Sequence, residues 1–570
     1  MKKSFSFFVA VLSMTACVFI LNSQSLYAQS DLRLHNKKYS GQKFEVTQPS
    51  QYDGPALVRN VPSGLYPTIQ SAINAANNGD IIMVAAGTYQ EDIIMNKQLS
   101  VRGANYLISP NPSGSRGAES IIQPATSQPD PNAPSYEINF YLGPNGSNST
   151  IDGFTFDGDN PTLVSSVNIN GANIDAADAI AAYDGMANTK ITNNIIKNIN
   201  YTGVDFDNFV NGVATFDNII MNNNFDNVNV DADFGVGVYI GTNCYASITY
   251  NVMTRTRIGV QTGNFYSADL GTNHSISNNT IDSYRLAIWH NLAYTGASTF
   301  DILDNVITTQ SGAPNNIGME ISSIQSSVAV NVSNNNITGA TEGYDLWNCP
   351  TTSTVTVTGG TLTSCKVGVF ANNYDGYDED AASSIYAMTG VTMTNCDTAI
   401  RVRDNSLNSN SSTVALNINN ATNIVNRTVP GGIGLLIEGA DASVVFNGAV
   451  PIDFSLSLSK YIRLATNGVN VPSANINAQG VQFGGTAGAG MTNAQLFAVE
   501  DKIDHKIDWA NLGFVSVKAN NDYVTTNSFY PPNTASALIQ RGVDASASGD
   551  TANVNTGNYT EQIEINKDLV

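Results

Sequence analysis

A short segment recurs along the sequence: a small residue, an apolar residue, a residue of any type and a second apolar residue. Polar and aromatic residues often occupy its third position. Residues 259–261 and 368–370 are two copies, and their third residues are Gln261 and Phe370. Because side chains alternate between the two faces of a strand, this third residue is expected to point away from the apolar ones. We call the set of third residues the outer row: Asp205, Tyr239, Gln261, Trp289, Glu320, Asp345, Phe370 and Arg401. Two residues further on, a second outer row reads Asp207, Gly241, Gly263, Asn291, Ser322, Trp347, Asn372 and Arg403.

The composition of these rows suits sugar binding. Aromatic faces cover the apolar sides of sugar rings, while carboxylates and amides bond to hydroxyl groups. The predicted substrate-binding residues are Asp205, Tyr239, Gln261, Trp289, Trp347, Phe370 and Arg403. In the alternative interpretation, loops cover this face and the aromatic side chains pack beneath them.

Two carboxylates of the outer row fall on consecutive copies of the repeat. Glu320 and Asp345 are these neighbours, and Arg401 lies two copies further on. A pair of adjacent carboxylates can supply an acid and a base, or a nucleophile, for glycoside chemistry, or it can bind Ca²⁺. These three residues are the predicted catalytic set, against the alternative of solvated acids on an acidic protein.

An acidic loop directly follows the Phe370 segment. The sequence DGYDED places Asp375, Asp378, Glu379 and Asp380 within six residues. Ca²⁺ takes six or more oxygen ligands, several of which this loop could supply, although it lacks the EF-hand spacing. The loop therefore predicts a Ca²⁺ site, and residues 156–160 (FDGDN) are a weaker candidate; a solvated loop is the alternative for both.

The elements that must position these residues follow from a second repeat. The pattern apolar, two residues, Asn, one residue, apolar recurs with its Asn at 194, 223, 251, 279, 305 and 335, at steps of 26 to 30 residues. A coil of two or three short strands cannot bury its apolar face alone, so successive coils must stack. The sequence predicts an all-β, right-handed parallel β-helix solenoid in which like residues form ladders.

Amphipathic segments at both ends predict helical caps. Thr68 is an expected N-cap before a helix that buries Ile69 and Ile73, and Gly79 is expected to end it. Thr492 precedes a second helix, in which Leu496, Val499, Ile503 and Ile507 are expected to share one face.

The opening of the predicted solenoid returns near the end of the sequence. Residues 69–99 match residues 539–569 without a gap, at a constant offset of 470. We expect a second, truncated β-helix here, with further modules after residue 570 in an intact parent. The predicted organisation is a signal peptide (1–28), a lead segment (29–60), the β-helix (61–490), a capping helix with linker (491–530) and the second start (531–570).

The first residues and the composition bear on location and partners. Lys2 and Lys3 precede an apolar stretch at 6–21, which predicts a Sec-type signal peptide and a secreted or cell-surface protein. No later stretch is apolar and long enough to predict a transmembrane segment. The net charge of −21 argues against nucleic acid as a partner.

Cysteine and histidine residues are few. Cys365 and Cys396 fall on consecutive copies of the repeat, and we expect free buried thiols, with a disulfide as the alternative. His290 follows Trp289, so it is expected to point inward as a core histidine.

The opening at 69–91, with its G-x-Y-x-E at Gly87, Tyr89 and Glu91, together with the Asn-containing coils, resembles the pectin lyase-like superfamily over about residues 65–490. The resemblance implies a secreted right-handed parallel β-helix. The catalytic motifs of its methylesterases, polygalacturonases and pectate lyases are not found in this sequence. We therefore predict an exported or cell-surface module that binds an extracellular or cell-wall polysaccharide, acts as an adhesin or is structural. The alternative is a polysaccharide lyase or glycoside hydrolase.

Overall fold

A computed structural model describes residues 55–111, 115–208, 215–229, 235–263, 275–291, 298–310, 315–324, 327–373, 383–404 and 412–570. The expected signal peptide lies outside these ranges. The three α-helices of the described ranges are α1 (Ile69–Ala75), α2 (Asn493–Glu500) and α3 (Ile539–Ala545). None of the described helices combines the length and apolar character needed to span a membrane.

Short strands make up most of the fold. The first are β1 (Val58–Val61), β2 (Ile81–Val84), β3 (Gly87–Gln90), β4 (Ile93–Met95), β5 (Ser100–Arg102), β6 (Ser120–Gln123), β7 (Ile138–Leu142), β8 (Thr150–Asp152), β9 (Thr155–Asp157), β10 (Val167–Ile169), β11 (Ala172–Ile174), β12 (Asp178–Ala182), β13 (Lys190–Thr192), β14 (Ile195–Ile199) and β15 (Thr202–Phe206). The next are β16 (Thr215–Met221), β17 (Asn224–Val228), β18 (Val236–Ile240), β19 (Cys244–Thr249), β20 (Val252–Thr262), β21 (Ser275–Ser277), β22 (Thr280–Asn291), β23 (Ser298–Leu303), β24 (Val306–Thr309), β25 (Ile317–Ser322), β26 (Val328–Ser333), β27 (Asn336–Thr338), β28 (Glu342–Trp347), β29 (Thr354–Thr358), β30 (Thr361–Thr363) and β31 (Val367–Asn372). The last are β32 (Ser384–Thr389), β33 (Thr392–Thr394), β34 (Thr398–Arg403), β35 (Val414–Asn419), β36 (Asn423–Asn426), β37 (Ile433–Glu438), β38 (Ala442–Asn447), β39 (Ile452–Phe454), β40 (Lys460–Ala465), β41 (Ile476–Asn477), β42 (Gln482–Phe483), β43 (Ile503–Asp504), β44 (Val515–Ser516), β45 (Asn521–Val524) and β46 (Thr551–Val554).

Most of the described strands belong to a 14-stranded parallel sheet, called here the first sheet, and a 26-stranded parallel sheet, whose two faces are called the second and third sheets. These three wind together as a right-handed parallel β-helix of about 14 turns, while β10–β11, β41–β44 and β45–β46 form separate two-stranded pairs. The first sheet runs from β1 through β2, β5 and β8 to β38. The second sheet contains β3, β6, β9 and β14 and ends at β42, and the third contains β4, β7, β12 and β15 and ends at β43. The long strands β20 and β22 pass through the corner between the second and third sheets. The predicted fold class is confirmed.

Rows of like apolar residues fill the interior. In the first sheet, Ile191, Ile220, Ile248, Ile276 and Ile302 pair in register on consecutive coils, and all are fully buried. Fully burying one such side chain contributes about 1.5–3 kcal/mol, which each coil obtains only from its neighbours. The predicted apolar ladders are therefore what holds the stack together.

The six repeated Asn residues form a buried ladder of hydrogen bonds. The backbone N–H of Asn251 donates to Oδ1 of Asn279 at 3.0 Å, and Nδ2 of Asn251 donates to the carbonyl of Ile220 at 2.9 Å. The same contacts recur from Asn194 to Asn335. The ladder ends at Gly360 (φ 77°), where a Cβ would lie 2.2 Å from the carbonyl oxygen of Asn335.

Helical caps close both ends of the main core, as predicted. Thr68 caps α1, whose buried residues include Ile69 and Ile73, although α1 ends at Ala75, before Gly79. Thr492 likewise caps α2. The expectation that Ile503 and Ile507 share the face of this helix is wrong. The helix ends at Glu500 because the chain returns to the third sheet, where Ile503 pairs with Ile462 of β40.

The start of the solenoid is repeated at its other end. Both carboxylate oxygens of Glu91 accept the first backbone N–H groups of α1, from Ile69 and Gln70. Glu561 makes the same two contacts with α3, through Ile539 and Gln540. Strands β45 and β46 then pair in parallel as β1 and β2 do. The sequence offset of 470 is thus matched by equivalent hydrogen bonds.

The histidine and cysteine predictions also hold in the described residues. His290 is fully buried, with its Nδ1 2.6 Å from Oγ1 of Thr262 and its ring stacked on Phe300 at 3.9 Å. Cys365 and Cys396 are buried free thiols.

Candidate functional site

The third sheet carries the predicted outer row in the predicted order. Asp205 pairs with Tyr239, Gln261 with Trp289, and Glu320 with Asp345. The remaining pairings join the same row without interruption from Asp205 to Arg401. The alternate positions of these strands, including Val260, Ile288 and Ile400, lie in the core, so the outer row faces the other way. The second outer row is aligned as well from Asn291 through Ser322, Trp347 and Asn372 to Arg403.

Burial divides the outer row into two halves. Asp205, Tyr239, Gln261 and Trp289 are each 5% exposed or less. Tyr239 and Trp289 belong to a small apolar cluster outside the main core, together with Val236, Ile258, Leu286 and the partly buried Ile317. The expectation that these four side chains are exposed is wrong, and Tyr239 and Trp289 pack as in the alternative interpretation, while the role of this half in sugar binding stays a prediction. These strands begin with apolar residues, among them Val236, Ile258 and Leu286, and burial of their side chains is favoured over contact with water.

The other half of the outer row is partly open. We call the following residues the charged patch: Glu320, Glu342, Asp345, Trp347, Phe370, Asn372, Arg401 and Arg403. Asp345 and Asn372 are buried, and the other six are partly exposed. The patch spans four consecutive strands of the third sheet, β25, β28, β31 and β34. Equivalent positions therefore repeat about every 4.8 Å along the solenoid axis.

Three carboxyl groups lie at one end of the charged patch. Ser322 donates a hydrogen bond to Oε1 of Glu320 at 3.0 Å, and Asn372 donates to Oδ1 of Asp345 at 3.0 Å. Burial raises the pKa of Glu320 to about 7. Burial, with the nearby charges of Glu342 and Glu320, raises the pKa of Asp345 well above its ordinary value. Glu320 can therefore hold or release a proton near neutral pH.

The sequence pattern did not identify Glu342 because of the geometry of its strand. Tyr344 points into the core, so simple alternation would also place Glu342 inside. Glu342 is instead partly exposed. Burial raises its pKa, while the charge of Arg401 lowers it. No residue pattern in the sequence marked it as part of the site.

The arginines at the other end of the charged patch are held in place. Arg401 Nε donates to Oε2 of Glu438 at 2.6 Å, and its guanidinium carbon lies 4.9 Å from the centre of the Phe370 ring. Arg403 pairs in register with Glu438, donates to the carbonyl of Asn467 at 3.3 Å, and has its pKa lowered by burial. Glu438 thus fixes Arg401 beside Phe370, and the carbonyl of Asn467 holds Arg403, which are roles that the sequence repeat did not reveal.

A separate group of acids and tyrosines lies in the buried half. The hydroxyl of Tyr183 donates to Oδ2 of Asp178 at 2.7 Å and itself accepts from Tyr136 at 2.8 Å. Burial raises the pKa of Asp178 to about 7, and burial together with the charge of Asp178 raises the pKa of Asp205 well above its ordinary value. These acids are enclosed, so Asp205 is not on an open binding surface.

The predicted Ca²⁺ ligands Asp375, Asp378, Glu379 and Asp380 lie outside the described residues. Within the described residues, no group of three or more His, Cys, Asp or Glu side chains is arranged to hold a metal ion. The Ca²⁺ site stays a prediction.

The family described as "Protein of unknown function (DUF1565)" matches residues 61–293. No curated protein sequence matches the chain. Among solved structures, the chain is similar to the catalytic unit of a GH87 α-1,3-glucanase from Streptomyces thermodiastaticus, at 15% identity and a TM-score of 0.42, covering 70% of this chain and 71% of that one.

Two further similar structures were found. One is an alginate lyase from a Paenibacillus species, at 16% identity and a TM-score of 0.29, covering 66% of this chain and 95% of that one. The other is a DFA-IIIase from Arthrobacter chlorophenolicus, at 11% identity and a TM-score of 0.29, covering 64% and 85%. The strand register described above establishes the class: this chain is a right-handed parallel β-helix protein.

Proposed function

We propose that this protein is an exported or cell-surface β-helix that binds an extracellular polysaccharide along the charged patch, as an adhesive or structural module. One observation carries the proposal. Aromatic, amide and guanidinium groups stand in register on consecutive coils of one partly open face, from Trp347 and Phe370 to Arg401 and Arg403. A linear polymer aligned with the solenoid axis would meet a further pair of these groups at each coil.

The chemistry of the patch suits a sugar chain. Phe370 can cover the apolar face of a ring, and the guanidinium of Arg401 above it stays fixed by Glu438. The hydrogen bond between Asn372 and Asp345 at 3.0 Å holds these two buried side chains in place, and the partly exposed guanidinium of Arg403 can donate to sugar hydroxyl groups. The side chains are held before binding, which reduces the entropy lost on association.

The test is a binding measurement with a panel of soluble polysaccharides, including neutral glucans, xylans and polyuronates. Phe370→Ala should weaken binding of whichever polymer is bound by about tenfold, which corresponds to about 1.4 kcal/mol. Tyr250→Ala is the matched control, because Tyr250 is 55% exposed and lies outside the charged patch. Binding that is unchanged by Phe370→Ala, or the absence of binding to any polymer, would contradict the proposal.

A second candidate function is cleavage of the polysaccharide by Glu320 and Asp345, with Arg401 nearby. The specific observation is that the two carboxyl groups stand on neighbouring strands in direct register, and that burial raises the pKa of Glu320 to about 7. A strand spacing of about 4.8 Å approaches the carboxyl separation of about 5–5.5 Å found in retaining glycosidases.

Product release separates the two candidates. The intact protein is incubated with each bound polymer, and new reducing ends and unsaturated ends are measured over time. Glu320→Gln keeps the size and hydrogen-bonding capacity of the side chain but removes the ionisable proton. Product formation that Glu320→Gln abolishes, with binding retained, would establish the cleavage function; no product from any bound polymer supports binding alone.

A further inference from the structure

Two cysteines stand side by side on consecutive coils. Thr363 pairs with Thr394 before them and Val367 pairs with Thr398 after them, so Cys365 and Cys396 are in the same register. The backbone N–H of Asp397 donates to the carbonyl of Cys365 at 3.0 Å. Neighbouring strands lie about 4.8 Å apart, which is within the Cα separation of about 4.4–6.8 Å that a disulfide needs.

The two side chains also interact directly. Cys365 and Cys396 are 1% and 3% exposed and lie on the inner side of the turn between the second and third sheets. The thiols donate to backbone carbonyls, Cys365 to Thr363 and Cys396 to Leu362, both at 3.7 Å. The interaction between the two thiols raises the pKa of Cys365 and lowers the pKa of Cys396. Of the two sulfurs, Cys396 is therefore the one with more thiolate character, which is the nucleophilic form.

The turn that holds each cysteine lies at the surface. Ser364 and Asn395, the residues just before them, have left-handed backbones with φ of 55° and 57°. Lys366 and Asp397, the residues just after them, are exposed. The turn therefore lies between each thiol and the solvent. A local opening of this turn would give an oxidant access to the thiol.

We propose that Cys365 and Cys396 form an intrachain disulfide that joins two consecutive coils under oxidising conditions. The Cys396 thiolate attacks one sulfur of an external disulfide, such as oxidised glutathione, and releases one thiolate. The Cys365 thiol then loses its proton and attacks the mixed disulfide at the Cys396 sulfur, releasing the second thiolate. The two protein thiols lose two electrons and two protons in total, and the external disulfide becomes two thiols.

The bond would act next to the charged patch. Strands β31 and β34 begin two residues after Cys365 and Cys396 and carry Phe370 and Arg401. A covalent link at their start would hold the relative register of these two strands. The inference is independent of the proposed function, because it depends only on the stacking of the two cysteines.

The chain provides its own controls. Cys244 and Cys349 are free and buried like the proposed pair. Cys244, however, pairs in register with Thr215, and Cys349 lies just after β28, away from any strand position that is aligned with a cysteine. These two residues should stay as thiols under conditions in which the pair is oxidised.

The test is peptide mapping by mass spectrometry after alkylation, on the full chain treated with oxidised glutathione. One sample is treated when folded, and another is refolded in a glutathione redox buffer so that burial cannot block the reaction. We expect a linked peptide pair containing Cys365 and Cys396, two hydrogen atoms lighter than the separate peptides, and alkylated Cys244 and Cys349. Reduction should lower the thermal midpoint of this sample by a few degrees, but not that of Cys365→Ser. Alkylated Cys365 and Cys396 in both samples, or linkage spread equally over all cysteine pairs, would overturn the proposal.

Discussion

Removing one member of the asparagine ladder should destabilise the whole solenoid strongly. Asn279 is fully buried at the centre of the ladder. Its Oδ1 accepts from the backbone N–H and from Nδ2 of Asn251, both at 3.0 Å. Its Nδ2 donates to the carbonyl of Ile248 at 2.9 Å and to Oδ1 of Asn305 at 3.0 Å. Asn279→Ala deletes all four contacts, while Oδ1 of Asn305 still accepts from the backbone N–H of residue 279.

The size of the effect follows from the groups left without partners. The variant leaves the N–H and Nδ2 donors of Asn251 short of an acceptor and the Ile248 carbonyl short of a donor. A buried polar group without a partner costs about 1–3 kcal/mol, and relaxation around the smaller side chain recovers part of this cost. We therefore expect the free energy of unfolding to fall by about 3–5 kcal/mol.

Urea unfolding, followed by circular dichroism, measures this change. Asn336→Ala is the matched control, because Asn336 is exposed and its Oδ1 accepts a surface hydrogen bond from Thr361. The control should change stability by less than about 0.5 kcal/mol. An Asn279→Ala variant within about 1 kcal/mol of the parent would refute the reasoning that the ladder holds the coils together.

Three further changes test other parts of the structure. Burial raises the pKa of Glu320 to about 7 from an unfolded value of about 4.3, so its protonated form stabilises the fold below about pH 4 and that contribution is lost as the pH rises to 7. The thermal midpoint should therefore fall between pH 5 and pH 8 and fall less in Glu320→Gln; an equal slope in both proteins would contradict the assignment. Trp289→Ala removes a side chain that is 3% exposed, so it should cost about 3–5 kcal/mol in urea unfolding, and a silent change would mean that the residue is not packed. Glu561→Gln weakens the cap of α3, so hydrogen exchange should quicken at 539–545 but not at the equivalent 69–75; no change at 539–545 would show that the carboxylate does not cap this helix.

The repeat made the architecture predictable from sequence. In a stacked solenoid, the length of the repeat determines which residues of consecutive coils pair with each other. Aligning the repeated Asn residues therefore also aligned the outer row from Asp205 to Arg401. The same logic identified Asn194 to Asn335 as a ladder, because an amide can both donate to and accept from its equivalents one coil away.

Burial of the outer row was not predictable in the same way. Alternation shows that Trp289 points away from the core, but not whether other parts of the chain cover it. Glu342 was missed because its strand departs from simple alternation near Gly343. Glu438 was missed because its contact with Arg401 depends on side-chain length and direction, which the spacing of repeats does not encode.

Hydrogen exchange with and without a bound polysaccharide tests the central claim most directly. The claim is that the polymer lies on the charged patch, across β28, β31 and β34. We predict slower exchange in 342–347, 367–372 and 398–403 on binding, with 328–333 and 354–358 of the first sheet unchanged. Protection confined to the first sheet, or unchanged exchange at these three strands under saturating polymer, would contradict the account.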